Sequence, residues 1–394
     1  MTACPPSRSL WGRTQPNAFG TVRLHPPEAP LASTGKRPSI TDVAKRAGVS
    51  KATVSAVIND SGPVADATRE RVRAAIDALN YRRAPAAGAA KVRHGRCIAL
   101  VIKEIDNPYY GEIIAAARKQ AQASGYTLLV VSSEGEYDAE RRAVDLLQAK
   151  DVDGLMVTPV LDEHADLSHL FELKRHNFPF VLLEEVRGVQ ASLVDVDNVE
   201  GSRLAVAHLI AQGHTRIAHF AGPAYSMHSM QRVDGVHRAC SASRLIFTED
   251  DVIVAGAHLE DGYRCGLEFF RGRPLSARPT AVTCYNDLVA LGLCRALSEL
   301  GLRVPADVSV IGFDDINLLP YLPLPLTTVR IPKTEMGRLA TQMLIRQVES
   351  KEVARPKKIF LTAELIVRGS TASPANGASP VTSSRRHTST RVAR

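Results

Sequence analysis

Residues 41–59 read TDVAKRAGVSKATVSAVIN. Val43, Ala44 and Ala47 recur at helical spacing behind Thr41, which reads as a helix N-cap. Gly48 interrupts that pattern where a tight turn between two helices needs a left-handed backbone. Ser50 is the next N-cap, and Val54, Val57 and Ile58 of the helix it opens would pack back onto the first. Lys51, Ala52 and Ser55 are left on the outer face. After a turn through Asn59, Gly62 and Pro63, Thr68 reads as the cap of a third helix striped by Val72, Ile76 and Leu79. Two short helices across a glycine turn, clamped by a third, spell a helix-turn-helix unit over residues 38–81. Such a unit lays the amino-terminal end of its second helix in the major groove of DNA. Lys51, Ala52 and Ser55 then face base edges, while Ser39, Thr41, Ser50, Thr53 and Asn59 are placed to bond phosphates.

Charge agrees with that placement. Residues 36–96 carry 13 Lys and Arg against 5 Asp and Glu, whereas residues 97–367 carry 28 against 35. A basic module on a mildly acidic body points the module at a polyanion. The 394 residues, 45% of them hydrophobic, are too many for one ordinary domain. No apolar run reaches the roughly 20 residues of a membrane span. Residues 1–37 hold six prolines and no basic-then-apolar export pattern, so they read as a disordered extension of a cytoplasmic protein. Cys4, Cys97, Cys240, Cys265, Cys284 and Cys294 show neither CxxC spacing nor an accompanying His cluster, so neither metal nor cofactor is implied.

From Cys97 onward, apolar runs alternate with amphipathic helices: CIALVI, PYYGEIIAAARKQAQASG, YTLLVVSS, DAERRAVDLLQAK, VDGLMVTP and FPFVLLEE. After a helix capped by Asn198 come RIAHFAG, TAVTCYND, a further helix, VSVIGFDD, the helix KTEMGRLATQMLIRQVES and a returning strand IFLTAELIVRG. Repeated strand–helix alternation implies parallel sheets covered on both faces, and the length suggests two of them with a cleft between. Ligands of such sheets bind beyond the carboxyl ends of the strands. The loops there hold residues 106–110 (DNPYY), 158–159 (TP), 221–223 (AGP), 285–287 (YND) and 313–315 (FDD). Carboxylates, amides and aromatic faces of this kind suit vicinal hydroxyls and sugar C–H surfaces, with Asn286 and Asp314 read as ligand groups.

TDVAKRAGVSKATVSAVIN followed by TRERVRAAIDALNYR resembles the headpiece of the lactose/galactose-repressor (LacI/GalR) family of bacterial transcriptional regulators, and the resemblance runs to about Gly369. It implies an all-α headpiece joined to a two-lobed, periplasmic-binding-protein-like α/β domain with parallel sheets over 97–369. Residues 82–96 would be the hinge, and 370–394 a disordered basic tail. In the family the hinge folds on DNA and wedges a Leu into the minor groove, a position that falls near Ala90 here. Ala56 stands where the family often has Arg, which alters the expected operator. The resemblance also assigns Tyr109, Tyr110, Arg232, Asn286 and Asp314 to the effector cleft, bordered by His228 and His258. It implies a homodimer, joined through the first-lobe helices and the returning segment, on a pseudo-palindromic double-stranded DNA operator.

The expected function is therefore a repressor whose operator affinity follows a small molecule, a sugar or sugar derivative by family default, with a purine or nucleoside left open. A solute-binding protein for transport would lack the basic headpiece. An enzyme would need a signature such as GxSxG, HExxH, GxxxxGK[ST] or GxGxxG after the first strand, and the chain has none.

Overall fold

The computed structural model describes residues 39–58, 64–79, 96–149, 152–161, 166–350 and 355–374. The chain divides into two compact units, residues 1–90 and 91–394. Asn59, Ala90, residues 1–37 and all of the hinge but Arg96 lie outside the described residues.

In the first unit α1 spans Ile40–Ala47, α2 Lys51–Ile58 and α3 Asp66–Ala78. Ser39, not Thr41, caps α1. Its N–H and hydroxyl both donate to the Asp42 carboxylate, at 2.8 and 2.6 Å, because an acid at the third helical position reaches back over the helix end. Gly48 takes φ 64°, as the turn requires. Ser50 caps α2 by accepting the Thr53 N–H at 3.0 Å. Thr68 lies within the first turn of α3, which starts three residues earlier than a cap at Thr68 implies. Val43, Val54 and Val72 are fully buried, one from each helix, with Ala44, Ala47, Val57 and Ala75 around them.

The second unit begins with a Rossmann-like lobe: β1 Cys97–Ile102, α4 Pro108–Ala123, β2 Thr127–Ser132, α5 Tyr137–Ala149, β3 Gly154–Val157, α6 Ser168–Arg175, β4 Phe180–Leu182 and β5 Ser192–Val196. The chain then crosses to a second lobe through α7 Asn198–Ala211, β6 Ile217–Ala221, α8 Met227–Ala242, β7 Val252–Val254, α9 Leu259–Phe270, β8 Ala281–Cys284, α10 Asp287–Glu299, β9 Ser309–Asp314 and β10 Thr327–Arg330. It returns as α11 Lys333–Glu349 and β11 Lys358–Leu361, then crosses again to β12 Glu364–Ile366. The two six-stranded sheets are ordered β11-β5-β4-β3-β1-β2 and β12-β10-β9-β8-β6-β7. Every paired strand is parallel except β12, which runs antiparallel to β10. IFLTAELIVRG is thus not one strand but two, one in each sheet, broken at buried Ala363.

Alternation along β1 shows why both faces are covered. Ile98, Leu100 and Ile102 join the core beneath α4 and α11, while Ala99 and Val101 join that beneath α5 and α6. The second lobe also reaches past residue 369. Ser370 is buried and its hydroxyl donates to the Val310 carbonyl at 2.6 Å, and the Ala372 N–H donates to Ser309 at 3.1 Å. Residues 370–374 therefore belong to the lobe rather than to the tail. Among the described residues no helix is long and apolar enough to cross a membrane.

Helix pairs in this unit cross closely at glycines. A Cβ at Gly292 of α10 would fall on the Leu259 carbonyl oxygen and the Tyr263 nitrogen of α9, both backbone atoms that cannot swing aside. Gly292→Ala is expected to destabilise the unit by about 1–3 kcal/mol. Differential scanning calorimetry should show its transition a few degrees lower.

Candidate effector cleft

The carboxyl ends of the two sheets face each other across a cleft of about 210 Å³. Lys103 follows β1, Thr158 follows β3, Glu184 lies just past β4, Tyr285 and Asn286 follow β8, and Asp314 ends β9. All six residues expected to bind an effector (Tyr109, Tyr110, His228, Arg232, Asn286 and Asp314) line this one space, as does His258.

Arg232, on α8, is the centre of the second-lobe wall. Its guanidinium lies 3.8 Å from the ring centroid of Phe313 and 4.7 Å from that of Tyr285. Nε donates to Asn198 Oδ1 at 2.9 Å, and Nη1 donates to the Tyr285 carbonyl. Nη2 stands 3.8 Å from the Asp314 carboxylate, an ion-pair distance that leaves room for a third group. Both rings are seated over glycines. A Cβ at Gly222 would meet the Tyr285 ring at 2.6 Å, and one at Gly201 the Phe313 ring at 2.8 Å. Asn198 is therefore not the cap of α7. Asp197 is, accepting the Glu200 N–H at 2.9 Å, and Asn198 is buried to hold Arg232.

Asp314 adopts φ 115° and Asp315 φ 54°, a left-handed region unfavourable for residues with a Cβ. Fully buried Lys333 fixes both by donating to their carbonyls at 2.5 and 2.8 Å, and it pairs with Glu112 of α4 at 3.2 Å. Burial raises the Asp314 pKa to about 6 against the pull of Arg232 and Lys333. Asp287, buried behind it, is pushed well above the carboxylate range by burial and by Asp314. Asn286 does two jobs: it caps α10 by accepting the Val289 N–H at 2.9 Å, and it donates to the Ala257 carbonyl at 2.8 Å.

The first lobe supplies Tyr109 and Tyr110 from the start of α4, their rings edge to face with centroids 5.0 Å apart. Burial holds both phenols above their ordinary pKa, so they act as neutral donors and acceptors. The lobe also supplies an ion pair absent from the expected set, with Lys103 Nζ 2.5 Å from Glu184 Oε2. Although burial opposes it, the neighbouring Lys103 and His228 hold the Glu184 pKa at about 2. Both residues were discoverable as the first charged positions after CIALVI and FPFVLL. His228 Nε2 lies 2.9 Å from Asp195 and His258 Nε2 lies 2.7 Å from Glu104.

On the headpiece Ser50, Lys51 and Ala52 are exposed at the amino-terminal end of α2, with Thr53 and Ser55 half-buried behind them. The Ser50 and Thr53 hydroxyls lie 2.9 Å apart. Ser39 is exposed and Thr41 half-buried. Among the described residues no group of three or more His, Cys, Asp and Glu side chains could hold a metal ion.

Residues 39–84 match the model of bacterial regulatory proteins of the lacI family, and residues 206–371 that of a periplasmic binding protein-like domain. The chain is 34% identical over 344 residues to the HTH-type transcriptional repressor PurR of Vibrio vulnificus, covering 84% of this chain and 97% of that protein. Against the HTH-type transcriptional repressor PurR of Haemophilus influenzae it is 34% identical over 336 residues, or 84% and 98% of the two chains. Among solved structures, a complex of the transcriptional regulator CelR with cellobiose is 30% identical at a TM-score of 0.62, covering 85% of this chain and all of that one. The lac repressor dimer bound to operator and the anti-inducer ONPF is 28% identical at a TM-score of 0.63, covering 86% and 100%.

The Asp314 pKa has a consequence for stability. With its folded-state pKa raised from 3.8 to about 6, the folded unit binds more protons than the unfolded chain between those values. Stability is then lost as pH rises through that window. Asp314→Asn, which removes the buried charge and tolerates φ > 0 better, is expected to stabilise the ligand-free protein by roughly 1–3 kcal/mol at pH 7.5. The gain should shrink at pH 4. Urea denaturation of both proteins at the two pH values reads this directly.

Proposed function

Because the chain belongs to the lacI family of bacterial regulatory proteins, we propose that it represses transcription as a homodimer on a pseudo-palindromic operator, released by a polyhydroxylated effector held in the interlobe cleft. The coarser reading, a DNA-binding transcriptional regulator, is that of the family. Lys51, Ala52 and Ser55 then read bases from α2, Ser39, Thr41, Ser50, Thr53 and Asn59 hold phosphates, and Ala90 stands near the minor-groove position of the hinge. The observation that carries the effector reading is the convergence of Tyr109, Tyr110, Arg232, Asn286 and Asp314 on one cleft at the carboxyl ends of both sheets.

A sugar or sugar derivative is favoured over a purine by the shape of the aromatic groups and by the charge pairing. A flat base is held best between parallel ring faces, whereas Tyr109 and Tyr110 meet edge to face and Arg232 covers Tyr285. Lys103, Arg232, His228 and His258 each have a carboxylate within 4 Å. A hydroxyl can accept from the cation and donate to the carboxylate of such a pair at once. The CelR structure was solved with cellobiose, whereas the curated relatives are named PurR, so both ligand classes belong in the test.

The experiment is fluorescence anisotropy of the full chain on DNA from upstream of its own gene, with and without a panel of sugars, purines and nucleosides. Nanomolar binding to a pseudo-palindrome, weakening linearly with log salt and relieved by one sugar, is the expected result. Relief by a purine would overturn the sugar assignment, and weak sequence-independent binding would overturn the operator reading. Lys51→Ala should weaken operator binding by about 1–3 kcal/mol if the side chain reads a base. A merely phosphate-bound Lys51 would instead lower the salt slope by about 1 across all sequences.

A further inference from the structure

His228 and His258 line the cleft, yet both are already engaged. His228 extends from α8 of the second lobe to Asp195, which is fully buried at the end of β5 in the first lobe. His258, at the start of α9 in the second lobe, reaches Glu104 beyond β1 of the first at 2.7 Å. A third contact runs the same way, from the Ser226 hydroxyl to Glu184 at 3.2 Å. We propose that His228 and His258 are positioning residues which clasp the second lobe to carboxylates of the first, so that closure of the cleft takes up protons. This rests on the reading of the cleft as the effector site.

The groups around each ring set the sign. His228 faces Asp195 and Glu184 of the first lobe, Arg232 of its own helix and Asp314 of β9, with Lys103 paired to Glu184 behind them. Burial disfavours its charged form, but the two carboxylates outweigh burial and Arg232, and its pKa lies above the ordinary imidazole value. His258 faces Glu104 across the cleft and Asp261 on its own helix at 3.1 Å, and Asp261 also lies 3.5 Å from Arg264. Burial lowers its pKa by less than Glu104 and Asp261 raise it. A histidine whose pKa rises on clasping contributes fully below its unclasped value, near 6.5, and the contribution is lost as pH climbs through the raised value. The clasp holds in mild acid and loosens in alkali. His228, only 11% exposed at the side chain, carries more of it than His258, whose side chain is 57% exposed and screened by salt. Neither histidine is then a primary effector ligand. Each arranges the walls between which Arg232, Asn286 and Asp314 act.

The test uses the full chain without effector. Amide hydrogen exchange, read by mass spectrometry and corrected for intrinsic pH dependence, is compared at pH 6.0 and 8.5. Protection of residues 103–110 and 255–262, the two lips of the cleft, should fall at least about fivefold at the higher pH, the lower end of ordinary site-to-site coupling. In the double variant His228→Gln/His258→Gln the fivefold difference should be lost, leaving only the smaller pH effect of Asp314. Glu104→Gln, at the rim, should remove the His258 share alone and keeps the test decisive if the buried substitution prevents folding. Unchanged protection in the parent, or an equal pH effect in the folded variants, overturns the clasp. No effector enters this measurement, so a ligand panel without a binder would retire the effector reading and leave the clasp standing.

Discussion

Burying the Arg232 guanidinium is the constraint around which the second lobe is arranged. Taking such a cation out of water costs several kcal/mol, recovered only if its donors and faces are all occupied. Asn198, the Tyr285 carbonyl and two aromatic rings occupy them, with the Asp314 carboxyl standing off at 3.8 Å. Those partners come from α7, from the loop after β8 and from β9, so the strand ends must converge on one point. Gly201 and Gly222 follow from the same demand, since any side chain there would displace a ring. A planar, permanently charged group satisfied on two faces and two edges is a rigid platform. Only the side towards Asp314 remains open to a ligand.

The joint between the lobes has a different physical basis. Among the described residues the chain crosses three times, between β5 and α7, between β10 and α11, and between β11 and β12. Lys333 sits at the second crossing and ties the Asp314–Asp315 backbone to Glu112 of the first lobe. A buried lysine with three oxygen partners is weak evidence for stability, because an apolar side chain could fill the space as well. What it does here is geometric. It stabilises two left-handed residues in succession and so aims the Asp314 carboxylate into the cleft. Strain on one residue, held by an element of the opposite lobe, ties the geometry of Asp314 to the position of that lobe.

Much of this was legible in the sequence, for reasons specific to particular residues. The headpiece could be read because Val43, Ala44, Ala47, Val54 and Val57 repeat at helical spacing about a glycine that needs φ > 0. The alternation of buried strands and amphipathic helices gave the two sheets, and strand ends are where polar residues become ligand groups. Local readings failed where a residue had two competing partners. Thr41 and Ser39 can both start α1, and only the position of Asp42 decides between them. Asn198 follows an Asp that caps the helix, which frees its amide for Arg232, 34 residues away. The split of the last strand is decided by tertiary pairing, since LTAEL carries no turn residue to mark the break. Lys103 and Glu184 are each unremarkable alone in the sequence, and only the fold, by bringing the ends of β1 and β4 together, pairs them at 2.5 Å.

The electrostatics of the cleft limit what it can hold. The charged and imidazole side chains at its walls form four pairs: Lys103 with Glu184, Arg232 with Asp314, His258 with Glu104, and His228 with Asp195 behind it. A ligand bearing a phosphate or carboxylate would have to break one of these pairs, leaving a buried carboxylate unpaired at a cost of several kcal/mol. An uncharged hydroxyl breaks none of them, because it gives a proton to the acid and a lone pair to the base of the same pair. An uncharged group therefore meets these walls at a lower desolvation cost than an anion does.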